Sequence, residues 1–314
     1  MNAKYTISLR KLFKPIMKRL AYLLAYPMLW GISKLPYKLF YAFSDFAFFL
    51  IYYLVGYRKK VVKENLQFAF PEKSEEEILL IRKKFYHHFC DLFLEMAKTI
   101  SISAEELKKR FVLKNPQKLQ EIEALNKSYI LMMGHYNSYE WVTALQLQGM
   151  TYKAFGIYKR IKNPYFDKMI RDSRGKFGVE MLDKDEVIRQ MISDKRGGVL
   201  ASYGMIADQA PKGGKTKYWR DFMGRRVPVF IGSEVAAKKL DFTVTYLKIE
   251  KVKRGFYEAE LIPITENPQN LTDYQITDAY FDLLEKQIRR QPENYLWTHK
   301  RWKHVGKENE NQRQ

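Results

Sequence analysis

The chain is 314 residues long, enough for one substantial α/β core, and nothing in that length demands two large domains. Its single cysteine, Cys90, excludes an intramolecular disulfide, and the neighbours Phe89, Leu92 and Phe93 mark it as a small core residue, not a catalytic thiol. With 55 Lys and Arg against 35 Asp and Glu, the formal net charge of +20 calls for an anionic partner, either nucleic acid or anionic lipid.

The N-terminal segment separates those two partners. Residues 1–63 hold 12 basic residues and one acidic residue, Asp45, so more than half of the net charge lies in the first fifth of the chain. That charge borders two apolar stretches: Leu20 to Ser33 is uncharged, and Leu39 to Tyr57 carries only Asp45. Basic flanks, apolar runs and interleaved Tyr22, Tyr26, Trp30, Tyr37, Tyr41, Tyr52, Tyr53 and Tyr57 have the composition of a membrane-interface anchor over residues 1–60. A nucleic-acid partner would want basic residues on a groove-facing helix with few apolar flanks, so none is expected. The second stretch is long enough to cross a bilayer, which takes about 20 residues. The first is shorter and broken by Pro27. No small-residue cleavage site follows, so a cleaved signal is not expected. A helical hairpin dipping into one leaflet would keep both basic flanks on one side; two buried core helices are the alternative.

After Arg58-Lys59-Lys60 the composition becomes that of a soluble domain, expected over residues 61–306, with a polar tail at 307–314. Ser74-Glu75-Glu76-Glu77 is a capping box opening a helix to about Lys98. Ser103 and Glu106 repeat the signature for a shorter helix. Pro116 opens another, with Leu119, Ile122 and Leu125 at helical spacing. Strands and helices then alternate: strand 129–133, helix 138–148, strand 152–157, helices 164–175 and 184–195, strand 198–203, helix 230–240, strands 242–250 and 256–263, helix 273–290. That alternation predicts an α/β fold, a mostly parallel mixed sheet flanked by helices.

One segment carries chemistry. Gly134-His135-Tyr136-Asn137-Ser138-Tyr139-Glu140-Trp141 follows the apolar run Ile130 to Met133, where a strand hands over to a helix. Residues five apart on one helix point about 140° away from each other, so His135 and Glu140 share a site only if His135 lies in the turn. Ser138 or Asn137 is a suitable N-cap, with Trp141, Val142 and Leu145 forming an apolar face that ends near Gly149. A neutral imidazole oriented by a carboxylate can take the proton of an acceptor hydroxyl, an effect of roughly 10²–10⁴-fold in rate. No protein nucleophile is then needed. The plainer reading of the segment alone is a surface histidine with an unrelated glutamate.

Other motifs fail. Lys212-Gly213-Gly214-Lys215-Thr216 has Gln209 where a phosphate loop needs glycine, and no apolar strand runs into it. There is no Gly-x-Ser-x-Gly elbow. The histidines His87, His88, His135, His299 and His304 form no zinc pattern, so neither metal nor cofactor is expected. His87 and His88 read as a structural or interfacial pair.

Seven ordered blocks from about Leu35 to Lys303 resemble the late acyltransferases of lipid A biosynthesis, within the lysophospholipid and glycerolipid acyltransferase superfamily that carries a His-x4-Asp/Glu motif. They include Leu35-Pro36-Tyr37; Tyr57 to Val62 with Asn65-Leu66 and Phe70-Pro71-Glu72; Tyr86 and Glu95; and Gly134-His135-Tyr136 with Glu140-Trp141. Further on come Asn163-Pro164 with Phe166-Asp167, Arg174, Ala207-Asp208-Gln209, Gly232-Ser233-Glu234 with Ala236, and Leu296 to Lys303. The resemblance implies a glycerolipid acyltransferase-like fold at the cytoplasmic face of the inner membrane. It implies transfer of a fatty acyl chain from acyl carrier protein, with coenzyme A as the other candidate thioester, to a hydroxyl of a phosphorylated glycolipid. His135 would be the base and Glu140 its orienting partner, with Asp208 and Gln209 positioning substrate. O-acylation of another lysolipid and a catalytically dead membrane scaffold are the competing readings.

Two places depart from the pattern. Tyr158-Lys159-Arg160 stands where many relatives carry Tyr-Arg-Pro or Tyr-Lys-Pro, which leaves Lys159 or Arg160 to bind the acceptor headgroup. Arginine grips a phosphate bidentately and lysine only as a point charge. Residues 137–139 differ from the frequent glycine and asparagine. Arg174 is the preferred phosphate ligand, whereas Lys162, Arg171, Arg225 and Arg226 are expected mostly to solvate helix faces. Met132, Met133, Leu145 and Phe155 are candidates for the floor of an acyl groove. The Trp297 to Trp302 cluster suits either a headgroup-level seat or a packed C-terminus.

Overall fold

The computed structural model describes residues 2–211 and 218–308, with side chains from Phe13 onward. The rejected 212–216 loop and most of the C-terminal tail lie outside them. Four helices open the chain: α1 (Asn2–Lys34), α2 (Tyr37–Phe49) continued by one π-helical turn (Leu50–Val55), α3 (Lys59–Ala69) and α4 (Glu75–Lys98). Contrary to expectation, α1 is continuous through Pro27. The missing N–H removes one ladder bond there, and the helix is held in place on α4 and on the segment around Asn163. The capping box before α4 forms in full: Glu77 N–H donates to Ser74 Oγ at 3.2 Å, and Ser74 N–H to Glu77 Oε2 at 2.9 Å. Cys90 is buried on α4.

The α/β part follows as α5 (Ala104–Arg110), β1 (Phe111–Leu113), α6 (Pro116–Ala124), β2 (Tyr129–Met133), a 3₁₀ helix (Tyr139–Gln148), β3 (Lys153–Tyr158), α7 (Pro164–Gly175), β4 (Val179–Asp183), α8 (Val187–Arg196) and β5 (Ala201–Ile206). A hairpin of β6 (Trp219–Phe222) and β7 (Arg225–Pro228) precedes α9 (Gly232–Leu240), β8 (Thr243–Lys253), β9 (Phe256–Thr265) and α10 (Gln275–Arg290). Among the described residues, seven strands form one sheet in the order β1-β9-β8-β2-β5-β3-β4, and only the β8–β9 pairing is antiparallel. The mostly parallel sheet flanked by helices is as expected. Every residue of β2 is buried, because both sheet faces are covered; hence its uninterrupted Tyr-Ile-Leu-Met-Met.

Four strands escape the sequence pattern. β1 is only three residues long, β4 (Val-Glu-Met-Leu-Asp) lies on the sheet edge, and β6–β7 carries Arg220, Asp221, Arg225 and Arg226. The helix after His135 is 3₁₀ throughout, and neither expected residue caps it. Asn137 Nδ2 donates to Ile249 C=O at 2.7 Å, while Ser138 Oγ has no partner among the described residues.

Candidate active site

Strand register builds the site. β2 and β5 run parallel with Met133 opposite Ile206, so the residues two beyond each strand end emerge side by side in the crevice at the carboxyl ends. Those residues are His135 and Asp208. His135 Nδ1 lies 2.6 Å from Asp208 Oδ1, and the His135 backbone N–H donates to Asp208 Oδ2 at 3.1 Å. A carboxylate only accepts, so the ring proton sits on Nδ1 and Nε2 keeps its lone pair. The Gln209 side-chain amide Nε2 lies 3.4 Å from His135 Nε2 and donates to it in a long, weak hydrogen bond. The Tyr139 ring meets the imidazole edge-on, with centroids 5.1 Å apart.

The loop carrying His135 is fixed from several sides. A Cβ on Gly134 would fall 2.5 Å from Leu284 Cδ1, so a larger residue there would have to push the Leu284 side chain of α10 off the strand end. Asn137 takes a left-handed φ of 52°, a region asparagine tolerates. Leu296 N–H donates to His135 C=O at 3.0 Å, and Asn137 N–H to Asn294 C=O at 3.0 Å. Tyr136 Oη donates to Gln287 C=O and lies 2.9 Å from Gln291 C=O, tying the loop to α10.

Burial alone would lower the His135 pKa. The Asp208 carboxylate outweighs it through charge and hydrogen bond, with help from Glu140, and the net direction is upward. For Asp208, burial pushes the pKa up, yet His135 and a Tyr295 hydrogen bond hold it below the ordinary Asp value. The pair is therefore an oriented imidazole on a buried carboxylate, with the ring one-fifth exposed.

Two contacts differ from those expected. The carboxylate on His135 Nδ1 belongs to Asp208, not to Glu140. Glu140 instead binds Arg174 bidentately, Nε to Oε2 at 2.7 Å and Nη2 to Oε1 at 2.6 Å, bracing α7 against the 3₁₀ helix. That fork engages Nε and Nη2 of Arg174 and leaves Nη1 outside the pair. Glu140 starts a helix held by Trp141, whose Nε1 donates to Glu95 C=O at 3.1 Å. Asp208 reaches His135 from 73 residues away, through the sheet.

Lys159 and Arg160 sit exposed beyond the end of β3, on the same carboxyl edge. Lys159 has no carboxylate within ion-pair distance among the described residues, whereas Arg160 Nη2 pairs with Glu186 at 3.3 Å. Arg171 pairs with Asp167 at 3.2 Å and Arg226 with Glu308 at 3.3 Å. Met132, Met133, Leu145 and Phe155 are buried in the core, not along an open groove. Trp297 and Trp302 are buried too, so the cluster is a packed C-terminus. His299 accepts the Ala210 N–H at 3.1 Å, and burial pushes its pKa down to about 4. Tyr295, which hydrogen-bonds Asp208, is not legible from the sequence; its place next to Leu296 to Lys303 is the only signal.

The profile of the bacterial lipid A biosynthesis acyltransferases matches residues 10–304. The chain belongs to that family. It is 23% identical over 278 residues to a lipid A biosynthesis lauroyltransferase of Escherichia coli K12, covering 88% of this chain and 89% of that one. A lipid A biosynthesis acyltransferase of Haemophilus influenzae is 24% identical over 241 residues, 74% of this chain and 72% of its own. A lipid A biosynthesis palmitoleoyltransferase of Escherichia coli K12 is 22% identical over 251 residues, 78% and 79% of the two chains. Membership makes the chain an acyltransferase with a lipid A-type acceptor.

Proposed function

We propose that this lipid A acyltransferase moves a fatty acyl group from an acyl carrier protein or coenzyme A thioester to a hydroxyl of a lipid A precursor, at the cytoplasmic face of the inner membrane. The observation that carries the mechanism is the His135–Asp208 pair with Nε2 free to accept. The acceptor hydroxyl displaces Gln209 from Nε2 and gives up its proton there as its oxygen attacks the thioester carbonyl. Asp208 stabilises the imidazolium that forms. The tetrahedral intermediate then expels the thiolate, the C–S bond breaks, and the Nε2 proton passes to sulfur. Atoms and charge balance without a protein nucleophile. Glu140 acts indirectly: with Arg174 it holds the helix beside the ring, and its charge supports the imidazolium. Lys159 and Arg160, exposed on the same edge, address the acceptor's phosphates.

Mass spectrometry of total lipids tests this in cells lacking the protein, complemented with wild type or His135→Ala. One phosphorylated glycolipid should gain a single acyl mass with wild type only. Equal restoration by both proteins would remove His135 from the mechanism. Acylation of a lipid without phosphates would favour the other-lysolipid reading, for which the Lys159-Arg160 departure leaves room.

A further inference from the structure

The apolar segment Tyr37–Val55 reaches a mean hydropathy of 1.4 over an 18-residue window and, at about 28 Å, is long enough to cross a bilayer. Its inner face argues against crossing. Tyr41 Oη donates to Glu95 Oε1 at 2.9 Å and Ser44 Oγ to Asp91 Oδ1 at 2.7 Å. One turn on, Phe48 stacks on His87 at 3.9 Å, and Tyr52 Oη lies 3.5 Å from Arg82 Nη2. Steps of about four residues forward on this segment match steps of about four backward on α4, so the two helices lie antiparallel along their length. Asp45, at the midpoint, is gripped by Arg254 from the β8–β9 hairpin at 2.6 and 3.1 Å.

Whatever depth this segment reaches, α4 and the hairpin tip reach with it. A cavity of about 570 Å³, lined in part by Lys83, Lys84, Lys251, Lys253 and Arg254, opens between α4 and the hairpin tip that grips Asp45. A crossing orientation would carry that cationic cavity to the bilayer centre, where lysine and arginine are strongly disfavoured. The outer face is the opposite. Leu39, Phe43, Phe46, Phe49, Tyr53 and Leu54 are exposed at helical spacing. Lys34 and Lys38 precede the segment, and Arg58, Lys59 and Lys60 follow it. Crossing would put one cationic cluster on each side of the membrane, whereas lying flat puts both at one headgroup level facing anionic lipid.

We infer that Tyr37–Val55 does not span the membrane but lies in the plane of one leaflet, its Leu39-Phe43-Phe46-Phe49 face immersed and its Asp45 face bound to the catalytic domain. α1 carries a further exposed apolar stripe, Phe13, Ile16, Met17, Leu20, Leu24 and Met28, at the same spacing. The inference rests on the membrane-bound reading above and narrows it.

The test places single cysteines in the full chain at Lys38 and Lys60, and nitroxides at Leu39, Phe46 and Leu54, with Cys90 replaced by alanine. Sealed vesicles containing anionic phospholipid are treated with a membrane-impermeant maleimide from one side, then the other. In-plane seating gives labelling of Lys38→Cys and Lys60→Cys from the same side and similar nitroxide depths at all three sites. Labelling from opposite sides, with Phe46 deepest, overturns the inference and leaves membrane attachment standing. Protein that floats free of the vesicles overturns both, and activity toward micellar substrate checks that each variant is folded.

Discussion

Replacing Asp208 with asparagine tests the mechanism most directly. The carboxylate serves two donors, Nδ1–H on one oxygen at 2.6 Å and the His135 backbone N–H on the other at 3.1 Å. An amide has one oxygen. If that oxygen keeps the backbone N–H, the NH₂ group faces Nδ1 and drives the ring proton to Nε2, where it blocks the base. The loss expected is the general-base contribution, roughly 10²–10⁴-fold in turnover, equal to about 2.7–5.4 kcal/mol in the barrier. The pH profile moves as well. The working base is neutral, so the rate falls as pH drops through the His135 pKa. In the wild type that pKa is raised above 6.5, chiefly because Asp208 overrides burial. Without the carboxylate charge burial is opposed mainly by Glu140, and the acidic limb of kcat/KM should shift to lower pH. The assay is acyl transfer from a thioester to a lipid A precursor in mixed micelles, from pH 5 to 9. A wild-type rate and an unmoved acidic limb in Asp208→Asn, with both effects appearing in Glu140→Gln, would refute the assignment and restore Glu140 as the orienting group.

Arg174→Met should destabilise the fold by about 3–5 kcal/mol, because it strands the buried Glu140 carboxylate; thermal unfolding should show part of this recovered in Glu140→Gln/Arg174→Met. Lys159→Ala should raise KM for the phosphorylated acceptor with little change in kcat, and a dephosphorylated acceptor should not distinguish it from wild type. Gly255→Ala should cost at least about 1–3 kcal/mol in chemical denaturation, since its φ is 73° and the new methyl would clash with Tyr41 Oη. Cys90, buried and with its pKa raised to about 12, should stay unlabelled by a thiol reagent at pH 8 until the chain is denatured.

Local patterns carried much of the fold into view. The Ser74–Glu77 box, Pro116, and the apolar run at β2 act within a few residues, so helix starts and the central strand could be read directly. Edge and hairpin strands could not. β4 and β6–β7 are short and mix charged with apolar residues, and pairing with neighbours decides their state. His135 was legible because a strand, a glycine and a helix frame it. Its partner was not, because the sequence brings Glu140 near in number while the sheet brings Asp208 near in space. The same distinction holds for Arg174, whose charge is plain in the sequence but whose Nε and Nη2 turn to Glu140 across the contact between α7 and the 3₁₀ helix. Composition marked Tyr37–Val55 as apolar and flanked by cations; the in-plane orientation inferred for it rests on Arg254, which grips Asp45, and on α4, which takes the Ser44 hydroxyl. Chain-local chemistry thus determined the elements, the candidate base and the basic apolar N-terminus. Register between parallel strands and helix packing decided which charges meet, because electrostatic partners are set by distance through space.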